Sequence, residues 1–177
     1  MKTKLINILI QSTLIALLTG CTSAIPLPPT QPNIGVSQST TDTLLPSLTQ
    51  KVNKTDAQII QQGSRLWVVI PIDSFFETQS TTLQVSKRAD IGTIAHFIRT
   101  YITDYPNALV RVYGYTDTVY DNKTRQELSD QYAQVIGSYL WNYGISRHRL
   151  FVEGYSSSNS IASNTSAEGR ALNRRVM

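Results

Sequence analysis

Hydrophobic and polar positions divide the 177-residue chain into three stretches. The first, Leu5 to Leu18, is an apolar run broken by Asn7, Gln11, Ser12 and Thr13. The second, from Thr22 to about Gly63, is built of Ser, Thr, Gln, Asn and Pro, and no hydrophobic period persists in it. The third, from Ser64, alternates between strand and helix patterns. Leu66, Val68, Ile70 and Ile72 recur every second residue with Trp67 and Val69 between them, which predicts a strand buried on both faces, followed by a polar turn. Ile91, Ile94, Ala95, Ile98 and Ile102 recur at three- and four-residue steps and predict a helix ending near Pro106. Ala108 to Tyr115 reads as a second strand. Leu128, Tyr132, Val135, Ile136, Tyr139, Leu140 and Tyr143 form the stripe of a second helix, which Gly144 stops. Arg149 to Tyr155 is a third strand, and a Ser/Asn-rich loop leads to a short helix near Ala167. This order predicts an α+β fold with helices on one face of a mixed sheet.

The amino-terminal run is too short and too interrupted for a bilayer-spanning helix, which needs ~20 apolar residues. With Lys2 and Lys4 before it, it reads as a secretory leader. Leu18-Thr19-Gly20-Cys21 resembles the bacterial lipobox, in which the cysteine thiol receives the lipid. That resemblance implies a signal peptide over 1–20 and a lipid on Cys21. It also implies an outer-membrane placement, because Thr22 differs from the Asp of an inner-membrane retention signal. Anchoring by several acyl chains is stable, since each buried methylene contributes ~0.8 kcal/mol. Residues 21–63 then form the lipidated cysteine and a flexible tether, because Pro26, Pro28, Pro29, Pro32 and Pro46 oppose regular structure. Within it, Leu44 to Gln62 either continues the tether or packs a short helix on the domain at 64–177.

Charge and chemistry narrow the functional classes. The formal charge of +4 includes Lys2 and Lys4, so the processed chain carries 14 basic against 12 acidic residues. That balance is too mild for a nucleic-acid partner, which needs a clustered basic face. The single cysteine belongs to the leader, and His96 and His148 stand on separate predicted elements. No thiolate metal set, thiol nucleophile or Ser-His-Asp arrangement is apparent, so neither a catalytic residue, a metal nor a cofactor is expected beyond the lipid on Cys21.

Two segments carry a further resemblance. Gly114-Tyr115-Thr116-Asp117 resembles the Gly-His-Thr-Asp that ends a strand in the OmpA-like, peptidoglycan-associated domain family, and Leu128-Ser129 with Ala133 resembles its Leu-Ser-x-x-Arg-Ala. Ala167 to Val176 is similar to the family's closing Glu-Gly-Arg-x-x-Asn-Arg-Arg-Val. The resemblance implies a two-layer sandwich of order β-α-β-α-β-(α)-β. It also implies a site for the peptide stem of peptidoglycan, whose diaminopimelate offers an ammonium and a carboxylate to an Asp and an Arg. By that resemblance Gly114, Thr116, Asp117, Arg125, Tyr132, Asn173 and Arg174 are the candidate stem-binding residues.

The pattern departs at three of its positions. The family's Arg is Tyr132, and a tyrosine cannot offer a carboxylate a bidentate charged partner. The family's Gly after the Asp is Tyr120, and its Asn before Leu-Ser is Arg125. Arg125 either replaces the lost guanidinium or is a solvated residue of the first helical turn. Asp117 either meets a ligand or caps the strand end, Tyr132 is either a site residue or part of the apolar stripe, and Arg174 is either a site residue or, with Arg175, a partner of carboxylates beneath the last strand. The family's last strand runs several residues past Arg-Arg-Val, so the strand ending at Met177 is either very short or lacks residues.

Two functional readings follow from the resemblance. One is a structural subunit or wall anchor of an envelope-spanning machine, since the tether and divergent pocket are similar to lipoprotein subunits of the Dot/Icm type IVB secretion system; Tyr113, Tyr120, Tyr132, Tyr139 and Tyr143 either serve its subunit contacts or belong to the core. The other is a general peptidoglycan-binding lipoprotein linking outer membrane to cell wall. Both make Cys21 the anchor. Substituting Cys21→Ser is expected to abolish incorporation of radiolabelled palmitate and to move the protein out of the membrane fraction; a variant that stays membrane-bound would exclude the lipid anchor.

Overall fold

The computed structural model describes residues 40–177, with side chains from residue 44 onward. The leader, Cys21 and the first part of the expected tether lie outside the described residues. In chain order the elements are α1 (Thr40–Val52), β1 (Gln58–Gln62), β2 (Arg65–Pro71), α2 (Ile72–Phe75), α3 (Arg88–Asp104), β3 (Val110–Tyr115), α4 (Asn122–Asn142), β4 (Leu150–Gly154), α5 (Ala167–Asn173) and β5 (Arg175–Val176). The sheet runs β1-β2-β5-β3-β4. Only β3 and β4 are parallel; the other neighbours are antiparallel, so the expected mixed sheet is present.

Alternation decides which face of the sheet the helices cover. Leu66, Val68 and Ile70 of β2, Val112 of β3 and Val176 of β5 meet Ile91, Ile94 and Ala95 of α3 and Ile136 and Leu140 of α4 in one core. Trp67 and Val69 stand on the other face, half-buried, so β2 is not enclosed on both sides as its apolar run predicts. The helix stripes read from the sequence hold: Ile98, Ile102, Val135 and Tyr139 extend them at the core's margin. A cleft of about 1100 Å³ is lined by Leu66 and Val68 of β2, Val110 and Val112 of β3, and Ile98, Ile102 and Leu140 of the helices.

The domain begins earlier than Ser64: of the two readings of Leu44 to Gln62, the helix packed on the domain is the one present, and the tether expected over 21–63 is shortened accordingly. Thr40–Val52 is helical with Pro46 inside it, and Leu48 and Val52, one turn apart, are buried in the core beside Leu45. An interior proline costs ~3 kcal/mol, whereas each buried aliphatic side chain contributes about 1.5–3 kcal/mol, so the two or three on this face outweigh it. Gln58–Gln62 pairs along β2 as an edge strand. Between them Asp56 accepts from Lys87 Nζ at 2.7 Å, tying the segment to the start of α3 and raising the Lys87 pKa. The turn expected after Ile72 to be polar is also partly core: Phe75, Phe76 and Leu83 are buried there.

If this boundary is right, Leu48→Ala should lower the unfolding free energy by about 2–5 kcal/mol in urea titrations, the usual cost of emptying such a site. A change within error would return the segment to a tether.

Candidate functional site

The ends of β2, β3 and β5 converge on one side chain. Arg174 lies between α5 and β5, and its backbone oxygen accepts from Ile72 N at 3.0 Å. Its guanidinium donates from Nε to Asp73 Oδ1 at 2.7 Å and from Nη2 to Asp73 Oδ2 at 2.5 Å. Nη1 donates to Asp117 Oδ2 at 2.5 Å. Bidentate pairing of this kind is the strong form of a charge-assisted hydrogen bond. The hydrogen bond from Arg174 to Asp73 is the largest influence raising the Arg174 pKa, with Asp117 contributing further.

The two carboxylates differ in access. Asp117 follows β3 and is only 4% exposed. Its other oxygen accepts from Val119 N at 3.0 Å, so both of its oxygens have partners inside the protein. Asp73 sits on the short α2, and its side chain is 46% exposed. Tyr132 from α4 is buried beside them, its ring edge-on to Phe76 with centroids 4.9 Å apart. Burial, above all, and then the Asp73 carboxylate raise the Tyr132 pKa, so its phenol stays protonated. Thr116, also buried, has a hydroxyl with no hydrogen-bond partner.

Asp117, Arg174 and Tyr132 are thus brought together, with Thr116 adjoining Asp117 in the chain, and the other candidates serve the scaffold. Arg125 donates to Tyr120 O at 2.5 Å, to Thr118 O at 3.3 Å and to Asn122 Oδ1, closing the loop between β3 and α4. It does not replace the guanidinium missing at Tyr132. Asn173 is fully buried and bonds Ile161 N, Ala162 N and Ala162 O, holding the Ser/Asn-rich loop. At Gly114 a Cβ would lie 2.0 Å from the Ser129 carbonyl oxygen, so its role is the close approach of α4 to β3. Arg175 is buried over the Tyr115 ring, 4.0 Å from its centroid.

Asp73 is the residue that sequence reasoning missed. The available signal was an acidic residue directly after a strand end, but it lies in a segment read as a polar turn. Tyr120 and Tyr143 are exposed, Tyr113 and Tyr139 half-buried, and His96 and His148 exposed. Among the described residues no cluster of His, Cys, Asp or Glu could hold a metal, and no helix is long and apolar enough to cross a membrane.

The site is thus an acidic pair bridged by arginine at the strand ends of a two-layer sandwich. The OmpA family pattern matches residues 75–174, and the chain belongs to that family. The chain is 31% identical over 129 residues to probable lipoprotein YiaD of Escherichia coli, covering 73% of this chain and 57% of that protein. It is 41% identical over 71 residues to peptidoglycan-binding protein ArfA of Mycobacterium tuberculosis, covering 40% of this chain and 22% of that one. It therefore spans less than two thirds of these curated relatives. Among solved structures, the cell wall anchor of the T6SS from Pseudomonas aeruginosa superimposes with a TM-score of 0.63 at 26% identity, covering 75% of this chain and 92% of that one.

The loop and helix that carry this site start at a cap. Asp121 Oδ1 accepts from Lys123 N and Thr124 N, each at 3.0 Å, and Oδ2 accepts from Thr124 Oγ1 at 2.7 Å. The Thr124 hydroxyl, first among these, holds the Asp121 pKa below its usual carboxylate value. A lowered folded-state pKa stabilises above the unfolded value and is lost as pH falls through the folded one. Asp121→Ala should therefore lower the thermal midpoint at pH 7, and the gap from the parent should shrink as pH falls below the ordinary carboxylate range. A gap independent of pH would mean that the carboxylate charge contributes nothing.

Proposed function

We propose that this chain is a non-catalytic lipoprotein that anchors the outer membrane to the cell wall, with its lipid on Cys21 and its peptidoglycan site at Asp73, Asp117, Tyr132 and Arg174. The carboxylate–guanidinium cluster at the converging strand ends carries the reading. It offers charge of both signs, part of it open to solvent, at one place on a rigid scaffold. A stem peptide presents both an ammonium and a carboxylate, and charge-assisted bonds to such groups are strong enough to give a specific contact. The peptidoglycan-binding name of one relative and the wall-anchor role of one structural neighbour support the ligand class. No metal, cofactor or nucleic acid enters this function.

A second reading makes the same domain a subunit of an envelope-spanning type IV secretion complex. The likeness to the cell wall anchor of a T6SS supports a place in some envelope machine without choosing its type, and exposed aromatic surface at Tyr120, Trp141 and Tyr143 is of the kind enriched at protein interfaces. Affinity isolation of the lipoprotein after mild crosslinking separates the two readings: a multi-subunit membrane complex supports the second, and a solitary protein leaves the general anchor.

Sedimentation with purified sacculi tests the wall contact itself. The full chain is expected to pellet with sacculi and to be released by free diaminopimelate. Protein that stays in the supernatant across the whole titration would remove the proposed function.

A further inference from the structure

We infer that the residues meeting the ligand in this chain are Asp73 and Arg174, and that Asp117, the carboxylate matching the family motif, is a positioning residue that holds Arg174 in place. The inference rests on the wall-binding reading and assigns the recognition chemistry within it.

Hydrogen-bond capacity and access decide the assignment. An ionised carboxylate has about four lone-pair sites, and a guanidinium has five N–H donors. Asp117 is buried, and both of its oxygens are engaged from inside, by Val119 N and by Arg174. A ligand ammonium could reach it only by displacing Arg174. That would separate a 2.5 Å ion pair whose acidic side chain is 5% exposed. Breaking such a pair leaves an uncompensated charge out of water, which is costly.

Asp73 has the opposite situation. It too pairs with Arg174, but its side chain is 46% exposed, and each oxygen keeps a lone pair free for an incoming ammonium. Arg174 uses three of its N–H groups on the two carboxylates and keeps two, with its side chain 30% exposed. Those two donors can take a ligand carboxylate without dismantling the bridge. Arg174 so supplies the guanidinium that Tyr132 does not, from the end of α5 instead of from α4.

A ligand carrying an ammonium and a carboxylate close together fits this pair, whereas a plain diamine or a plain diacid fits half of it. Two carboxylates and one guanidinium sum to a single negative charge, which the ligand ammonium offsets, while the ligand carboxylate is held by the two remaining Arg174 donors.

The test is sacculus binding by the full chain, with diaminopimelate, cadaverine and pimelate as soluble competitors, for the parent and four variants. Asp73→Asn and Arg174→Lys are each expected to weaken binding roughly tenfold or more, as for a lost charge-assisted contact. Asp117→Asn, which keeps an oxygen for Arg174 but gives up the charge that holds it, should weaken binding less than either and leave the parent's preference for diaminopimelate over cadaverine in place. In the parent diaminopimelate should compete far better than cadaverine, and in Arg174→Gln that preference should vanish; a merely structural arginine would lower binding to both and leave their ratio unchanged. Arg174→Lys keeps the cation if the Gln variant does not fold. Loss of binding in Asp117→Asn with full binding in Asp73→Asn would overturn the assignment while leaving wall binding intact. A parent chain that binds neither sacculi nor diaminopimelate would remove the wall-binding reading and this assignment with it.

Discussion

One guanidinium ties together the ends of three neighbouring strands. Asp73 follows β2, Asp117 follows β3, and Arg174 leads into β5, which lies between them in the sheet. β5 is two residues long, and Met177 extends its pairing by exchanging N and O hydrogen bonds with Tyr113, both at 2.8 Å. The bridge and the Ile72 N to Arg174 O bond fix its start, and Val176, 1% exposed, fixes it from the core side. Order in the sheet and assembly of the candidate site are therefore one event.

The second constraint is the close approach of α4 to the sheet. Gly154 has no room for a Cβ, which would stand 2.4 Å from Asp130 N. The space is used by hydrogen bonds instead: Asp130 accepts from Gly154 N at 2.8 Å, Gln126 donates to Gly154 O at 2.9 Å, and the buried Ser129 hydroxyl accepts from Ser156 N at 2.9 Å. These are residues of the Leu-Ser motif segment. In this protein the motif works as a clamp between helix and strand ends, and that clamp sets where Tyr132 stands one turn further on.

Most of the sandwich was legible because α3 and α4 carry long apolar stripes and Gly144, at φ +92°, stops the chain where an L side chain is strained. What was not legible had local signals pointing the other way. α1 is polar and contains Pro46, and its two fully committed apolar contacts, Leu48 and Val52, say nothing until α3 is in place. β1 is an edge strand with one half-buried residue, Ile59, so it lacks an alternation to read. At the site, Asp117 and Arg174 were found through the motif, but 57 residues separate them and 101 separate Arg174 from Asp73. Pairing over such distances is set by the folded topology. Arg125 illustrates the limit: its spacing from Tyr132 allowed a site role, and only the loop carbonyls it bonds reveal its actual work.

The place of Arg174 has a mechanical meaning. It sits at the head of the middle strand, flanked on both sides by antiparallel partners, with Arg175 stacked behind it on Tyr115. A pull exerted through that side chain enters the sheet at its middle strand and is shared by two ladders, where traction on an outer strand would load one.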